Sequence, residues 1–348
     1  MRRSIVSMMM LFVVVVLSGV VAVAQEDNAQ RNKQIYLDVI AEYNAGNREA
    51  FYTMLTDPFM MNQGDATLYE TTPDDVRGYD GALVGAMPDI QMNVDVIVAQ
   101  GDWVAVHVTF TGTFSEPFNF APFGPNSFPA NNEAIIWTET DFLHFNADGL
   151  VDEAWVISDP AVLFGQMGIF PPMDEGDSET PLEQPVGYQT LSTDALVASY
   201  TSGMEDRNVA LFQEQVDTGL AGDTSSYYVD PYISWNSGVP YSESAASEEG
   251  TAFFGMIASA MPDNVLETPI VVAEGDWVAV LLQISGTFTE DVVFFGTNLS
   301  ATGEPIVWQL GLLEHYDTNG VIIEEFVETD PTPLLTGLGI MPSMDEGE

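Results

Sequence analysis

The chain of 348 residues contains no cysteine and very few basic side chains. Without cysteine it can form no disulfide, no thiolate metal site and no thiol nucleophile. Seven Lys and Arg stand against 53 Asp and Glu, the formal net charge is −46, and no Lys or Arg follows Arg207. Such a surface repels nucleic acid and anionic membranes, and it offers almost no cation to hold a phosphate or carboxylate substrate. We therefore expect a small hydrophobic ligand that is neutral or cationic, and neither nucleic acid nor an anionic membrane surface as a partner.

The motifs of the common cofactor enzymes are also missing. The sequence has no P-loop, no G-x-G-x-x-G and no G-x-S-x-G, and its three histidines show no H-x-x-x-H spacing. The Gly-containing turns at 146–149 and 317–320 lack the remaining ligands of a calcium loop, and their pattern is more typical of a β-hairpin turn. We expect no metal site and no cofactor.

The N-terminus has the pattern of a secretory signal peptide. Arg2 and Arg3 precede the apolar run from Met8 to Val16, and Ala22-Val23-Ala24 has the small residues of a cleavage site. This predicts a secreted or periplasmic protein, cleaved after residue 24. The alternative is an uncleaved N-terminal membrane anchor, because the apolar run is nearly long enough to span a bilayer.

The chain contains two copies of one domain. The stretch Ala86–Phe114 returns as Ala260–Phe288 with fifteen of 29 positions identical, and Trp137–Gly176 returns as Trp308–Gly347. Between the copies lies an acidic segment that contains Pro181, as expected of a linker. The predicted organisation is a signal peptide (1–24), a first domain (25–175), a linker (176–187) and a second domain (188–348).

Within each copy the apolar spacing changes from helical to strand-like. Ile35, Val39, Ile40 and Tyr43 predict a first helix, as do Leu196, Val197, Tyr200 and Met204 in the second copy. Short second helices are predicted over 48–55 and 207–215, and a third helix ends at Pro88 or Pro262. Clear alternation begins at Trp103, after a turn at Gly101-Asp102 that separates this strand from the one before it. Two more strands follow, which gives a four-stranded antiparallel meander. Three helices followed by a sheet predict an α+β fold, closed into a cone with a pocket.

This order of elements resembles the SnoaL-like polyketide cyclases, or "ester cyclases", of the NTF2-like superfamily. The resemblance rests on GDWVAVHVTFTGT, on W-x-x-x-D-F-x-H-F-x-x-D-G-L-V-D-E-x-W and on SDPAVLFGQMGIFP. It implies two tandem NTF2-like cone domains, each with about three N-terminal helices on a curved antiparallel sheet. Since many domains of this fold pair through their sheets, it also implies an intramolecular pseudo-dimer of the two copies.

This sequence differs from the family pattern at the residue that is expected to be catalytic. In cyclases of this kind the last strand resembles I-V-E-H-W-D, and its final acid acts as the general acid/base. Val156 occupies that position here, and Val327 occupies it in the second copy. An alkyl side chain cannot transfer a proton, so cyclase chemistry requires another carboxylate to have taken over.

Several residues remain candidates for such chemistry. Histidines kept in both copies could act as bases, and carboxylates kept beside aromatic residues could act as acids or bases. The competing interpretation is structural: strand-end histidines in solvent, core aromatics, and Asp159 and Asp330 as helix N-caps. The acid/base candidates are Glu153, His144, Asp141, Glu324 and His315, and the ligand-binding candidates are Trp155, Trp137, Phe142, Trp308 and Phe326.

Two functions follow from these patterns. The first is a cone that binds a small hydrophobic ligand, with cyclase-type or isomerase-type acid/base chemistry. The second is a non-catalytic binding or interaction module, which is favoured by the valine at the acid position in both copies.

The charge imbalance yields a prediction about stability. Because self-repulsion of the acidic surface is screened by salt, we expect the Tm of the full chain to rise with ionic strength. Thermal unfolding in NaCl and Na₂SO₄ at matched ionic strength tests this prediction. Equal increases in both salts would identify screening, whereas an increase confined to sulfate would instead indicate exclusion of the salt from the protein surface.

Overall fold

The structure is a computed structural model that describes residues 28–63, 67–119, 127–169, 203–236, 239–242, 244–294 and 297–340. The predicted signal peptide, the predicted linker and most of the predicted first helix of the second copy lie outside these ranges. Among the described residues, no helix is long and apolar enough to cross a membrane.

Seven α-helices occupy the described residues, four in the first copy and three in the second. The predicted first helix is present, and its Ile40 and Tyr43 are buried. The helices are α1 (28–44), α2 (Glu49–Thr53), α3 (Pro73–Ala86), α4 (Pro160–Gln166), α5 (Glu205–Asp217), α6 (Ser244–Ala260) and α7 (Thr332–Gly337).

The strands of the described residues form two six-stranded sheets and one short hairpin. In the first copy they are β1 (Leu55–Gln63), β2 (Tyr69–Thr71), β3 (Gln91–Gln100), β4 (Trp103–Thr113), β5 (Ala134–Phe145) and β6 (Val151–Ser158). In the second they are β7 (Tyr228–Asn236), β8 (Val239–Ser242), β9 (Val265–Glu274), β10 (Trp277–Thr287), β11 (Val292–Phe294), β12 (Thr297–Leu299), β13 (Pro305–Tyr316) and β14 (Ile322–Thr329). The sheet orders are β2-β1-β6-β5-β4-β3 and β8-β7-β14-β13-β10-β9, and β11 pairs with β12. Helices packed on one sheet in each copy confirm the α+β class and the two NTF2-like domains.

Each sheet is larger than the predicted four-stranded meander. Strands β3 to β6 form that meander, and β1 lies parallel to β6 with β2 antiparallel beside it. Strands β7 and β8 extend the second sheet in the same way. The sequence prediction missed β1 because its partner lies far along the chain, and because Asp57-Pro58 reads locally as a break in a strand.

The first described helix of the second copy, α5, makes the contacts that α1 makes in the first copy. On α1, Arg31 bonds to the next side chain and reaches the backbone carbonyl of Asn146 in the β5–β6 turn. On α5, Arg207 bonds to the next side chain and to the backbone carbonyl of Asp317 in the β13–β14 turn. The helix predicted over 207–215 is therefore present, but it is longer and lies in the place of α1 rather than of α2.

Both faces of each sheet are buried. On β4, Val104, Val106 and Val108 pack against the helices of their own copy, and we call this side of each sheet the inner face. Ala105 lies on the other side, the outer face, in a hydrophobic cluster that joins the two copies. The larger members of this interface cluster are Phe142, Trp155 and Ile157 from the first copy and Trp235, Leu313 and Phe326 from the second.

The carboxylates after the last strands accept hydrogen bonds from the first turns of the helices that follow. Asp159 is the N-cap of α4, with its Oδ1 accepting from the backbone N–H of Ala161 at 2.8 Å. Asp330 accepts from the backbone N–H of Thr332 at 2.8 Å, so its side chain also satisfies the start of α7. The Asp159 contact confirms its predicted N-cap role, whereas the N-cap residue of α7 is Pro331, so Asp330 contacts the first turn from one residue before the cap.

A capping box at the start of α3 gives a stability prediction. Thr72 accepts from the backbone N–H of Asp75, whose carboxylate accepts from the backbone N–H of Thr72. The substitution Thr72→Ala removes the side-chain acceptor, so the free energy of unfolding should fall by about 1 kcal/mol. The control is Thr53→Ala, because the Thr53 hydroxyl donates to the backbone carbonyl of Ala50 in its own helix and caps no helix start. Urea unfolding of both variants tests the cap, and equal losses would contradict it.

Candidate active site in the first copy

Strand β5 carries two carboxylates on its inner face. Residues two apart on a strand share a face, so Glu139 and Asp141 lie on the same side as Trp137 and Leu143. Trp137 and Leu143 belong to the hydrophobic core formed with the helices of the first copy. The strand therefore directs two acidic groups into an otherwise apolar interior.

Asp141 and a tyrosine of α1 each present a buried polar atom to this interior. Asp141 is 8% exposed, and its Oδ1 has no hydrogen-bond partner among the described residues. The hydroxyl of Tyr36, which is 1% exposed, also has none among them. Burial raises the pKa of Tyr36, and the charges of Asp141 and Glu139 raise it further, which places all three groups in one electrostatic environment.

The two carboxyl groups have raised pKa values for distinguishable reasons. Burial raises the pKa of both groups, and the charge of Asp141 raises that of Glu139 further. The charge of His107 on the neighbouring strand opposes the increase at Asp141. Glu139 remains partly exposed and accepts a hydrogen bond from Trp137 Nε1 at 3.1 Å. Of the two, Asp141 therefore releases its proton more readily, and Glu139 retains its own.

More phenol groups surround these carboxylates. Burial raises the pKa of Tyr79 on α3, and the charges of Glu139 and Asp80 raise it further. Asp80 accepts hydrogen bonds from the hydroxyls of Tyr43, at 2.6 Å, and Tyr52. The three N-terminal helices thus supply a set of phenols on the side of the core that faces the acidic strand.

The structure places the predicted His144 and Glu153 on the outer face, away from this interior. His144 Nδ1 lies 2.6 Å from Asp152 Oδ1, and the imidazole packs on the ring of Trp103. Glu153 accepts from Trp155 Nε1 at 2.7 Å. A catalytic role for His144 and Glu153 inside the cone is therefore incompatible with strand alternation.

The second copy has a similar cluster that is built with a different acid. His315 Nδ1 lies 3.5 Å from Glu324 Oε2, and the imidazole stacks on Trp277. Glu324 also accepts from Trp235 Nε1 at 3.1 Å. Each copy thus has a Trp–His–acid cluster at the border of the interface, although the acid beside the histidine is Asp152 in the first copy and Glu324, the counterpart of Glu153, in the second. His315 and Glu324 therefore also lie on the outer face and not inside the cone.

The predicted aromatic ligand-binding residues divide between the two faces. Trp137 and Trp308 lie in the inner cores of their copies. Phe142, Trp155 and Phe326 instead pack in the interface cluster, so they do not line a cone. The sequence pattern could not separate the groups, because both faces of these strands are apolar.

Asp141 lies directly beside the position where the resemblance places the catalytic acid. In the ladder between β5 and β6, Asp141 is the partner of Val156. The corresponding pair in the second copy is Leu312 and Val327. The direct partner of the acid position is thus a carboxylate that faces the interior in the first copy and a leucine in the second.

Sequence reasoning missed Glu139, Tyr36 and Tyr79. Glu139 could have been found, because Trp137, Glu139 and Asp141 alternate and so must share a face. The tyrosines could not, because their approach to β5 depends on how the helices pack. Within the described ranges, no three His, Asp or Glu side chains are grouped closely enough to hold a metal ion.

The inner face of the second copy carries a different buried acidic pair. Glu314 on β13 and Glu325 on β14 are direct partners in the ladder and are 1% and 8% exposed. Burial raises the pKa of Glu314 to about 8 and that of Glu325 to about 6. Tyr316 donates to Glu314, and Ser234 donates to Glu325 at 2.8 Å. Both carboxyl groups therefore have protein partners, unlike Asp141 Oδ1.

Comparison with known proteins identifies the first copy. Residues 32–167 match the family model of the SnoaL-like polyketide cyclases. The first copy is a SnoaL-like domain. No match among curated proteins reached significance.

Solved structures of similar proteins each align with about one copy. AclR of Streptomyces galilaeus, described as a candidate hydroxylase, is 23% identical over 41% of this chain and 87% of its own, with a TM-score of 0.35. A candidate SnoaL-like polyketide cyclase from Jannaschia sp. CCS1 is 19% identical over 41% of this chain and 96% of its own, with a TM-score of 0.34. IdmH of Streptomyces antibioticus, a candidate polyketide cyclase, is 22% identical over 39% of this chain and 98% of its own, with a TM-score of 0.32.

The buried carboxyl groups of the SnoaL-like domain predict how its stability depends on pH. Because folding raises the pKa of Asp141, the native state holds a proton that the unfolded chain releases above about pH 4. This contribution to stability is therefore lost as the pH rises. We expect Asp141→Asn to raise the Tm relative to wild type at pH 8 and to change it little at pH 4.

Thermal unfolding of wild type and variant across this pH range is the measurement. The control is Asp148→Asn, which removes the same charge from an exposed turn and should give a small difference without this pH dependence. An Asp141→Asn variant that is destabilised equally at both pH values would show that burial does not raise the pKa of Asp141.

Proposed function

We propose that the inner face of the SnoaL-like domain binds a small hydrophobic ligand and performs acid–base chemistry on it. Asp141 and Glu139 are the proton-transfer pair. The observation that carries the proposal is the buried Oδ1 of Asp141 beside Val156, which has no hydrogen-bond partner within the described part of the chain. A carboxylate at this place can replace the acid that is missing at Val156. Cyclase chemistry requires such a replacement, because valine cannot transfer a proton.

The arrangement suits the removal of a proton from a carbon next to a carbonyl group. Asp141, as the more readily ionised group, accepts the proton from carbon, while Glu139 donates a hydrogen bond to the carbonyl oxygen as negative charge develops there. Tyr36 can donate a second hydrogen bond. Return of the proton to the same or another carbon completes an isomerisation. Attack of the enolate on a second carbonyl within the ligand forms a ring and an alkoxide, and return of the abstracted proton from Asp141 to that alkoxide completes a cyclisation.

The charges of the site favour a neutral or cationic ligand. Among the described residues, no lysine or arginine forms an ion pair with Glu139 or Asp141. A carboxylate or phosphate ligand would lie beside two acidic groups that no described lysine or arginine neutralises. The apolar residues of the core around the acids favour a hydrophobic carbon skeleton.

The second copy fits the non-catalytic alternative. Leu310 and Leu312 stand where the first copy has Glu139 and Asp141, and Val327 stands at the acid position. None of these alkyl groups can transfer a proton. We therefore assign acid–base chemistry to the first copy alone, and a supporting role to the second.

We also propose that the protein is exported. The support is the order of Arg2-Arg3, the apolar run and Ala22-Val23-Ala24 at the N-terminus. A chain without cysteine keeps the same covalent structure in an oxidising compartment as in a reducing one. Mass spectrometry of the mature protein, with cleavage expected after residue 24, tests this assignment.

Ligand binding is tested by thermal stabilisation with a panel of lipophilic ketones, because a ligand that binds only the native state raises the Tm. We expect at least one ketone to raise the Tm of wild type, with a smaller increase for Asp141→Asn. The control is Glu314→Gln, which changes a buried acid of the second copy and should leave the ligand-induced increase intact. If no ketone changes the Tm of wild type, the proposed ligand class is wrong.

Proton transfer is tested directly by deuterium exchange. In D₂O, wild type should accelerate the exchange of the hydrogens next to the carbonyl of α-tetralone, followed by NMR. We expect Asp141→Asn to slow the catalysed exchange by about a hundredfold or more, with Glu314→Gln unchanged. Ketone binding without catalysed exchange would support the non-catalytic binding module instead.

A further inference from the structure

The outer faces of the two sheets contact each other through equivalent residues. The Gln100 side chain accepts from the backbone N–H of Ala273 at 3.2 Å, and Glu274 accepts from the backbone N–H of Ala99 at 2.8 Å. Gln100 and Glu274 occupy matching places in the repeat, and so do Ala99 and Ala273. The copies are therefore related by an approximate two-fold axis, and departures from that symmetry can be read residue by residue.

The first departure lies at the axis itself. Thr140 and Gly311 are counterparts, since they pair with the counterparts His107 and Leu281 on the neighbouring strands. A Cβ added to Gly311 would lie 2.8 Å from Cβ of Thr140, closer than two carbons can pack. One copy thus provides a side chain and the other provides the space that accepts it.

The second departure is a buried charge cluster. His107 lies 2.9 Å from Asp95 in its own copy and 3.2 Å from Glu328 in the other, and all three side chains are buried. Burial lowers the pKa of His107, but the hydrogen bonds to both carboxylates raise it to about 9, so the imidazole is charged at neutral pH. The counterparts of His107 and Glu328 are Leu281 and Ile157.

The third departure is a buried salt bridge. The only lysine of the chain, Lys33, lies 2.8 Å from Glu274, with side-chain exposures of 0% and 5%. By the equivalence of α1 and α5, the counterpart of Lys33 is Val209, and that of Glu274 is Gln100. Here too the cation belongs to one copy and the anion to the other.

We propose that the outer faces are complementary surfaces by which the first copy binds the second and rejects a second copy of itself. Pairing of two first copies would place Thr140 against Thr140 and would bury Lys33 beside an amide. Pairing of two second copies would leave a void between two glycines and would bury Glu274 and Glu328 beside Val209 and Leu281. Buried charges without a partner are strongly destabilising, so both self-pairings are disfavoured.

The partner of each face is the other copy of the same chain. Segment 170–202 joins the copies covalently, which gives the second copy a high effective concentration at the first. We therefore expect the full chain to be a monomer whose two sheets cover each other. This assignment is independent of whether the inner face of the first copy is catalytic.

The complementarity at the axis is tested by reversing it. In the full chain, Gly311→Thr should lower the Tm by overlap with Thr140, and Thr140→Gly should lower it by leaving a void. The double variant T140G/G311T moves the side chain to the other copy and contains the same residue types as wild type. It should recover most of the Tm lost by the single variants. A double variant no more stable than the worse single variant, or one that fails to fold, would overturn the proposal.

Self-pairing is tested by a single cysteine, because the chain has none of its own. Thr140→Cys places a thiol at the axis, so two first copies that paired would form a disulfide-linked dimer under mild oxidation. We expect no such dimer, and a monomer mass by light scattering. Oxidation in urea, where the unfolded chains meet freely, serves as the control that the thiol reacts. A covalent dimer formed from the native protein would overturn the proposal.

Discussion

The structure depends on the burial of both faces of each sheet. Alternate residues of the meander strands point to opposite sides, and in this chain both sets are apolar. The inner set, such as Val104 and Val106, packs on the helices, and the outer set, such as Ala105 and Phe142, packs on the other copy. A polar side chain on either face therefore carries a cost unless it binds something. This constraint makes the few buried polar groups informative about function.

The two copies satisfy this constraint differently on their inner faces. The first has Glu139 and Asp141 among core aromatics, with the Oδ1 of Asp141 unpartnered among the described residues. The second has leucines at these positions and instead carries Glu314 and Glu325, which bond to neighbouring hydroxyls. Duplication would allow this divergence, because a fold with two interiors needs only one of them for proton transfer. Such a division of roles agrees with the acid–base function proposed for the first copy alone.

Two of the few basic side chains of the chain lie at the interface between the copies. Lys33 and His107 are buried at the interface, and each lies beside a carboxylate of the second copy. In a chain of net charge −46, seven Lys and Arg cannot neutralise 53 acidic side chains. A buried cation at the interface therefore determines which of the two outer faces can pair with it. His107 also lowers the pKa of Asp141 through the sheet. The interface and the proposed site are therefore linked electrostatically, since Glu328 of the second copy helps to keep His107 charged.

Local sequence was sufficient to determine the duplication, the α+β class, the meander and the residues that share each strand face. These properties follow from spacing along the chain, as at Val104 to Phe110. Only the tertiary structure decided which face lies inside, because apolar residues cover both and alternation alone does not separate them. For that reason the sequence offered His144 and Glu153 as candidates together with Asp141, and only Asp141 lies in the interior, where Glu139 accompanies it. The parallel pairing of β1 and the match of Thr140 with Gly311 likewise required the fold, since they join residues that are distant in the sequence.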